Sequence, residues 1–313
     1  MKSFPGTRLS TLAGVLAAPL LLAGCSGSLA GDSGGPRVVA SFYALEYVAE
    51  RVVGDHAEVV NLTSPGVEPH DLELTVRQTA EVSEADLVVY EKGLQPAVDE
   101  AVEQHGPERV VEVTEAIELA PLDPDEHADE TDEEHAGHAA SDVDLHFWLD
   151  PERMATLAED VQRQMSEVDP QHAADYEANL EAFRKDLTEV DAVYAEGLAD
   201  CEIDTVVVSH DAFGYLEKYG LRFESIAGLS PEAEPSAAHL AELARLIEDE
   251  GISTVFSETL ASPAMAETLA RDLGIETAVL DPVEGPSDES ASQDYLSLMR
   301  SNLEKLRAAN RCA

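Results

Sequence analysis

Residues 169–196 read DPQHAADYEANLEAFRKDLTEVDAVYAE, with apolar side chains at Tyr176, Leu180, Phe183, Leu187, Val190 and Tyr194. Alternating steps of four and three keep these six on one stripe of an α-helix. Asp169-Pro170 opens the segment, and neither Gly nor Pro interrupts it through Glu196. The spacing predicts one helix of about 25 residues, roughly 38 Å long at 1.5 Å per residue. A single stripe is too little to close a core of its own. The segment is therefore a connector, and the fold is set by what it connects.

On both sides of it, short β-rich runs alternate with helical patterns. The first half offers strands at 38–42, 57–62, 87–90 and 110–113, with amphipathic stretches at 44–53 and 75–83. The second half repeats the scheme with strands at 205–209, 221–225, 254–257 and 277–280. Such alternation predicts an α/β fold with parallel sheets flanked by helices. The expectation is two lobes, residues 37–168 and 200–313, joined by one long rigid helix over 169–199.

The beginning of the chain reads as an export signal. Lys2 and Arg8 precede an apolar run at 12–23, shorter than the roughly 20 residues a membrane-spanning helix needs. The run ends in Leu22-Ala23-Gly24-Cys25, which resembles a bacterial lipobox. Residues 1–24 are then a lipoprotein signal peptide and Cys25 the lipidated first residue of an extracytoplasmic, membrane-anchored protein. A plain secretory signal with an incidental Cys25 is the alternative. Residues 25–36, rich in Gly and Ser, suit a flexible tether. About 290 residues remain, enough for two cores.

The chain carries 64 acidic and 19 basic residues, a net charge of −45. That balance argues against nucleic-acid binding and against electrostatic docking on anionic lipid. Most of these carboxylates read as a solvated surface. With Cys25 lipidated, Cys201 and Cys312 are left as a pair in a compartment that tolerates disulfides. Their wide separation has no metal-ligand spacing, so a disulfide is expected. Residues 121–144 have almost nothing apolar and read as a disordered acidic loop. Its His127, His135 and His138 are either a weak accessory metal trap or part of a solvated insertion.

Three histidines stand where strands or loops meet helices. His70 lies in Ser64-Pro65-Gly66-Val67-Glu68-Pro69-His70-Asp71, just past the second strand. His146 lies in Asp144-Leu145-His146-Phe147-Trp148-Leu149-Asp150-Pro151. His210 follows a hydrophobic strand in Val207-Val208-Ser209-His210-Asp211-Ala212-Phe213. A fourth candidate, Glu284, follows the last strand in Leu280-Asp281-Pro282-Val283-Glu284-Gly285. Ligands of open α/β sheets gather beyond the carboxyl ends of strands, so these residues are expected to share one cleft. Three imidazoles and one carboxylate make a tetrahedral set suited to Zn²⁺, whereas Mn²⁺, Mg²⁺ or Ca²⁺ favour more oxygen ligands. His56, His105, His172 and His239 have no such setting and read as surface.

The three histidine motifs, the last extended through Gly214-Tyr215, resemble those of the zinc and manganese substrate-binding lipoproteins of bacterial ABC importers, the ZnuA-like group. The resemblance runs from Val38 to Cys312. It implies two lobes about a rigid helix, with His70, His146 and His210 as metal ligands. It further implies delivery of Zn²⁺ to an ABC permease and its ATPase subunit by a monomeric, non-enzymatic protein. His210 is similar to the zinc branch, since manganese members tend to carry a glutamate there. For the fourth ligand, Asp281 and Glu284 both qualify, and some members use water or an acid near the first histidine, here Glu68. Glu284 is taken. The rival readings are a manganese-binding homologue and a three-His zinc hydrolase. The hydrolase lacks support from any His-Glu-x-x-His helix or nucleophile motif.

Overall fold

The computed structural model describes residues 35–122, 143–287 and 292–313. Its first half runs β1 (Arg37–Ala40), α1 (Tyr43–Val53), β2 (Glu58–Asn61), α2 (Val76–Glu84), β3 (Leu87–Tyr90), α3 (Pro96–His105), β4 (Val110–Glu112) and a single turn, α4 (Val113–Ala116). The four strands form a parallel sheet in the order β2-β1-β3-β4. Every residue of β3 is buried, as expected of a strand covered on both faces. Thr75 starts α2 with a capping box: its hydroxyl accepts the Gln78 amide, and the Gln78 side chain accepts the Thr75 amide.

Two long helices follow, α5 (Pro151–Val168) and α6 (Ala173–Gly197). The second half then runs β5 (Thr205–Val208), β6 (Arg222–Ser225), α7 (Ala237–Glu250), β7 (Thr254–Ser257), α8 (Ala264–Leu273), β8 (Glu276–Val279) and α9 (Tyr295–Ala309). Its sheet repeats the topology, parallel in the order β6-β5-β7-β8. Strand order reverses at β1/β3 and again at β5/β7, the two points where such sheets present ligands beyond their strand ends.

The connector read from the sequence is α6, 25 residues long, and all six residues of its stripe are buried. It packs on α1, α5 and α9. Tyr47 of α1 lies edge-on to Phe183 of α6 at 5.7 Å and stacks on Tyr295 of α9 at 5.3 Å. The Tyr295 hydroxyl donates to the Trp148 carbonyl at 2.7 Å. Each large side chain in this seam contributes about 1.5–3 kcal/mol by burial, so bending α6 would expose apolar surface from both lobes. The connector is therefore a strut.

Helix α5 is a second long element beside it. Asp150 accepts the Glu152 amide, Pro151 occupies the first turn, and Met154, Leu157, Ala158, Val161 and Met165 are buried. At the other end of the chain, Cys201 and Cys312 are bonded. Nearby, Glu202 N and Ile203 N both donate to the Asn310 carbonyl. Among the described residues, no helix is long and apolar enough to cross a membrane.

Candidate metal centre

His70, His146, His210 and Glu284 each present one donor atom within 4.8 Å of the others. The elements explain how. His210 lies just past the end of β5, and Glu284 on the loop leaving β8. His70 sits on the long loop between β2 and α2, and His146 at the head of the turn leading into α5.

Each donor is held from behind. Asp144 accepts the His146 backbone amide at 2.9 Å and lies 2.8 Å from His146 Nδ1. Glu258, one residue past β7, accepts the His210 amide at 3.0 Å and lies 2.6 Å from His210 Nδ1. Because β5 and β7 are neighbours, topology alone brings residues 210 and 258 side by side. A carboxylate on Nδ1 fixes that nitrogen as the N–H and leaves the Nε2 lone pair facing the centre. Behind His70, Gln95 donates to both Thr63 Oγ1 and the Pro69 carbonyl.

The Glu284 loop is braced on both sides. Asp281 N donates to Asn302 Oδ1, Asn302 donates back to the Asp281 carbonyl, and Trp148 Nε1 donates to the Pro282 carbonyl. Val283, buried and at φ +61°, adopts a left-handed backbone rare for a β-branched residue. It turns the chain so that the next residue, Glu284, faces the histidines. Asp281, the other carboxylate proposed for this position, accepts the Val283 amide instead and is outside the group of four.

Glu284 Oε1 lies 3.6 Å from His70 Nε2, 3.9 Å from His146 Nε2 and 3.5 Å from His210 Nε2. A tetrahedral ion with bonds of about 2.0–2.1 Å spaces its ligand atoms about 3.3–3.4 Å apart, close to these separations. His146 Nε2, His210 Nε2 and both Glu284 oxygens are buried without a hydrogen-bond partner. Buried polar atoms normally have one, so unpartnered atoms of three residues turned to one point have the chemistry of a cation site. Glu68 Oε1 stands 4.0 Å from His70 Nε2, on the more exposed side of the cluster.

Charge follows the same arrangement. Burial alone would raise the Glu284 carboxyl, but the imidazoles of His210 and His70 outweigh it and hold it well below the usual range. Burial pulls His210 down, yet Glu258 and then Glu284 hold it well above an ordinary imidazole. His70 is lowered, chiefly by burial. Burial and then the Glu284 charge push the Glu68 carboxyl up to about 8.

All four residues chosen from the sequence thus converge. Asp144 and Glu258 were not assigned roles there. Asp144 carries a local signal, a carboxylate two residues before a histidine; Glu258 carries none, since only strand order brings it to His210. The structure gives partners to three histidines read as surface. His56 and His172 stack at 4.0 Å, and His239 Nε2 lies 2.8 Å from the Ser225 carbonyl. Cys25, His127, His135 and His138 lie outside the described residues.

Residues 38–309 match the family described as "ZnuA: Zinc-uptake complex component A periplasmic". The zinc-binding lipoprotein AdcA of Streptococcus pneumoniae is 34% identical over 294 residues, covering 92% of this chain and 58% of that protein. The chain therefore spans well under two thirds of that relative's length. The high-affinity zinc uptake system protein ZnuA of Bacillus subtilis is 33% identical, covering 92% of this chain and 93% of that protein. Among solved structures, the Zn(II)-bound ZnuA-like domain of Streptococcus pneumoniae AdcA is similar with a TM-score of 0.72 and 32% identity. It is matched over 88% of this chain and 99% of that one.

Proposed function

The chain belongs to the ZnuA family of zinc-uptake components, and from that premise we propose that it captures Zn²⁺ outside the cytoplasm and hands it to an ABC importer. The ligands are His70, His146, His210 and Glu284. One observation carries the reading: three imidazole nitrogens and a carboxylate oxygen, two of the imidazoles pre-oriented by acids, meet in one buried cluster. Three nitrogen donors and one oxygen favour zinc over manganese, which takes more oxygen ligands.

The same arrangement supports a carrier rather than a hydrolase. Catalytic zinc keeps a coordination position open for water or substrate. Here Glu284, 1% exposed, fills the fourth position from the interior. Because α6 is a buried strut, release proceeds through local movement of a ligand-bearing loop rather than a wide hinge. Partners are the permease and its ATPase subunit. The protein acts as a monomer held at the membrane by a lipid on Cys25, with residues 25–36 as tether.

The test is metal analysis of protein purified without added metal, followed by competition between Zn²⁺ and Mn²⁺, and zinc uptake by cells lacking this chain. One tightly held zinc, resistant to excess manganese, and uptake at limiting zinc restored by the wild type but not by His210→Ala are expected. Stoichiometric manganese, or uptake indifferent to the chain, overturns the proposal.

A further inference from the structure

One short helical turn of the second half, Gly214–Tyr219, begins four residues after His210 and grips the segment that carries His146. At one end of that segment, Tyr215 Oη donates to the Asp144 carbonyl at 2.7 Å and accepts the Ala120 amide at 2.9 Å. A Cβ built on Gly214 would stand 3.0 Å from Asp144 Oδ2, so the turn is packed against the acid that orients His146. At the other end, Lys218 Nζ lies 2.9 Å from Asp150, Glu152 and Asp191 alike. Asp150 closes the His146 turn, since its amide donates to the Phe147 carbonyl, and it caps α5. Asp191 belongs to the connector α6 and also accepts Tyr219 Oη at 2.7 Å.

Three carboxylates around one point repel each other unless a cation stands between them. Lys218 supplies that cation. It joins the His210 turn, the His146 segment and the strut in a single ionic knot. The acidic trio could be mistaken for a second metal cluster, but the ammonium already occupies its centre.

We propose that the Gly214–Tyr219 turn is a clasp that makes His146 and His210 one pre-set pair, with Lys218 as the positioning residue that holds it shut. The inference rests on the zinc reading of the four-residue centre. It goes further in assigning part of that centre's affinity to a side chain that never touches the metal. Holding donors in place before the ion arrives removes an ordering cost from binding.

The experiment compares wild type, Lys218→Met and Lys218→Arg as full chains. Zinc affinity is read by competition with a chromophoric chelator, and amide exchange is followed over 143–150 and 211–219 in metal-free protein. Lys218→Met is expected to weaken zinc binding about tenfold, the low end for outer partners of metal ligands, and to accelerate exchange in both segments together. Lys218→Arg keeps the charge and retains affinity. If Lys218→Met lowers the thermal midpoint but leaves affinity and exchange at 143–150 unchanged, Lys218 is an ordinary ion pair and the clasp is overturned. Should Lys218→Met not fold, Tyr215→Phe removes the bonds to the Asp144 carbonyl and the Ala120 amide while keeping the ring, and unaltered affinity there overturns the clasp equally. Failure of the wild type to bind zinc would instead sink the zinc reading.

Discussion

His210 Nδ1 lies 2.6 Å from Glu258 Oε2, and the other oxygen of that carboxylate accepts the His210 backbone amide. One buried acid thus sets both the ring's tautomer and the position of its main chain. Glu258→Gln keeps the shape but lets an amide N–H face Nδ1, favouring the wrong tautomer for Nε2 as a donor. Zinc affinity should fall about 10–100-fold with little change in the thermal midpoint of metal-free protein. Competition titration measures it, and an unaltered affinity would show that Glu258 is dispensable.

Protons compete with zinc at this centre. Glu258 and Glu284 outweigh burial and hold His210 above the usual imidazole range, so zinc displaces a proton here at a higher pH than at an ordinary imidazole. Affinity therefore falls as pH drops below that raised value, while His70, lowered by burial, adds its own proton only further down. Proton release at neutral pH and a steep loss of affinity below about pH 6 are expected. Calorimetry in two buffers of different ionisation enthalpy measures the release. Identical heats, with affinity flat between about pH 7.5 and pH 5, would contradict it.

Glu91, just past β3, is 1% exposed and neither of its oxygens has a hydrogen-bond partner. Burial, and then the charges of Asp144, Glu112 and Asp99, hold its carboxyl well above the usual range. A raised folded pKa gives a contribution that is complete below the unfolded value, about 4.3, and is lost as pH rises toward the folded one. Glu91→Gln cannot ionise. It should therefore be more stable than the wild type at pH 8 in metal-free protein, with the gap closing near pH 4. A gap independent of pH would count against this assignment.

Much of this was legible beforehand. The six-residue stripe of α6 and all eight strands were readable because their periods of 3.6 and 2, or their short apolar runs, are local properties. The four metal candidates were readable because each sits at a strand end or loop. Helix α5 went unread although Asp150-Pro151 and the 154/157/158/161/165 spacing announce it; its start overlaps the His146 motif. Phe42 and Val113, read as strand ends, instead cap and open helices. The roles of Glu258 and Lys218 had no local signal, since each depends on which segments the topology makes neighbours.

The Cys201–Cys312 bond closes the end of α9 onto the start of the second half. Cys312 lies ten residues past Asn302, which braces the Glu284 loop, a rise of about 15 Å if counted as helix. Replacing both cysteines by serine should cost about 2–5 kcal/mol of stability and leave zinc affinity untouched. Thermal melts and titrations of the same preparation check both halves, and a parallel loss of affinity would mean the tail reaches the centre.

X-ray absorption at the zinc edge, on protein carrying one equivalent of Zn²⁺, tests the ligand set most directly. The account predicts four light-atom ligands at about 2.0–2.1 Å with the scattering of three imidazoles, falling to two in His210→Ala. A six-oxygen shell, or three imidazoles that persist when His210 is removed, would contradict it.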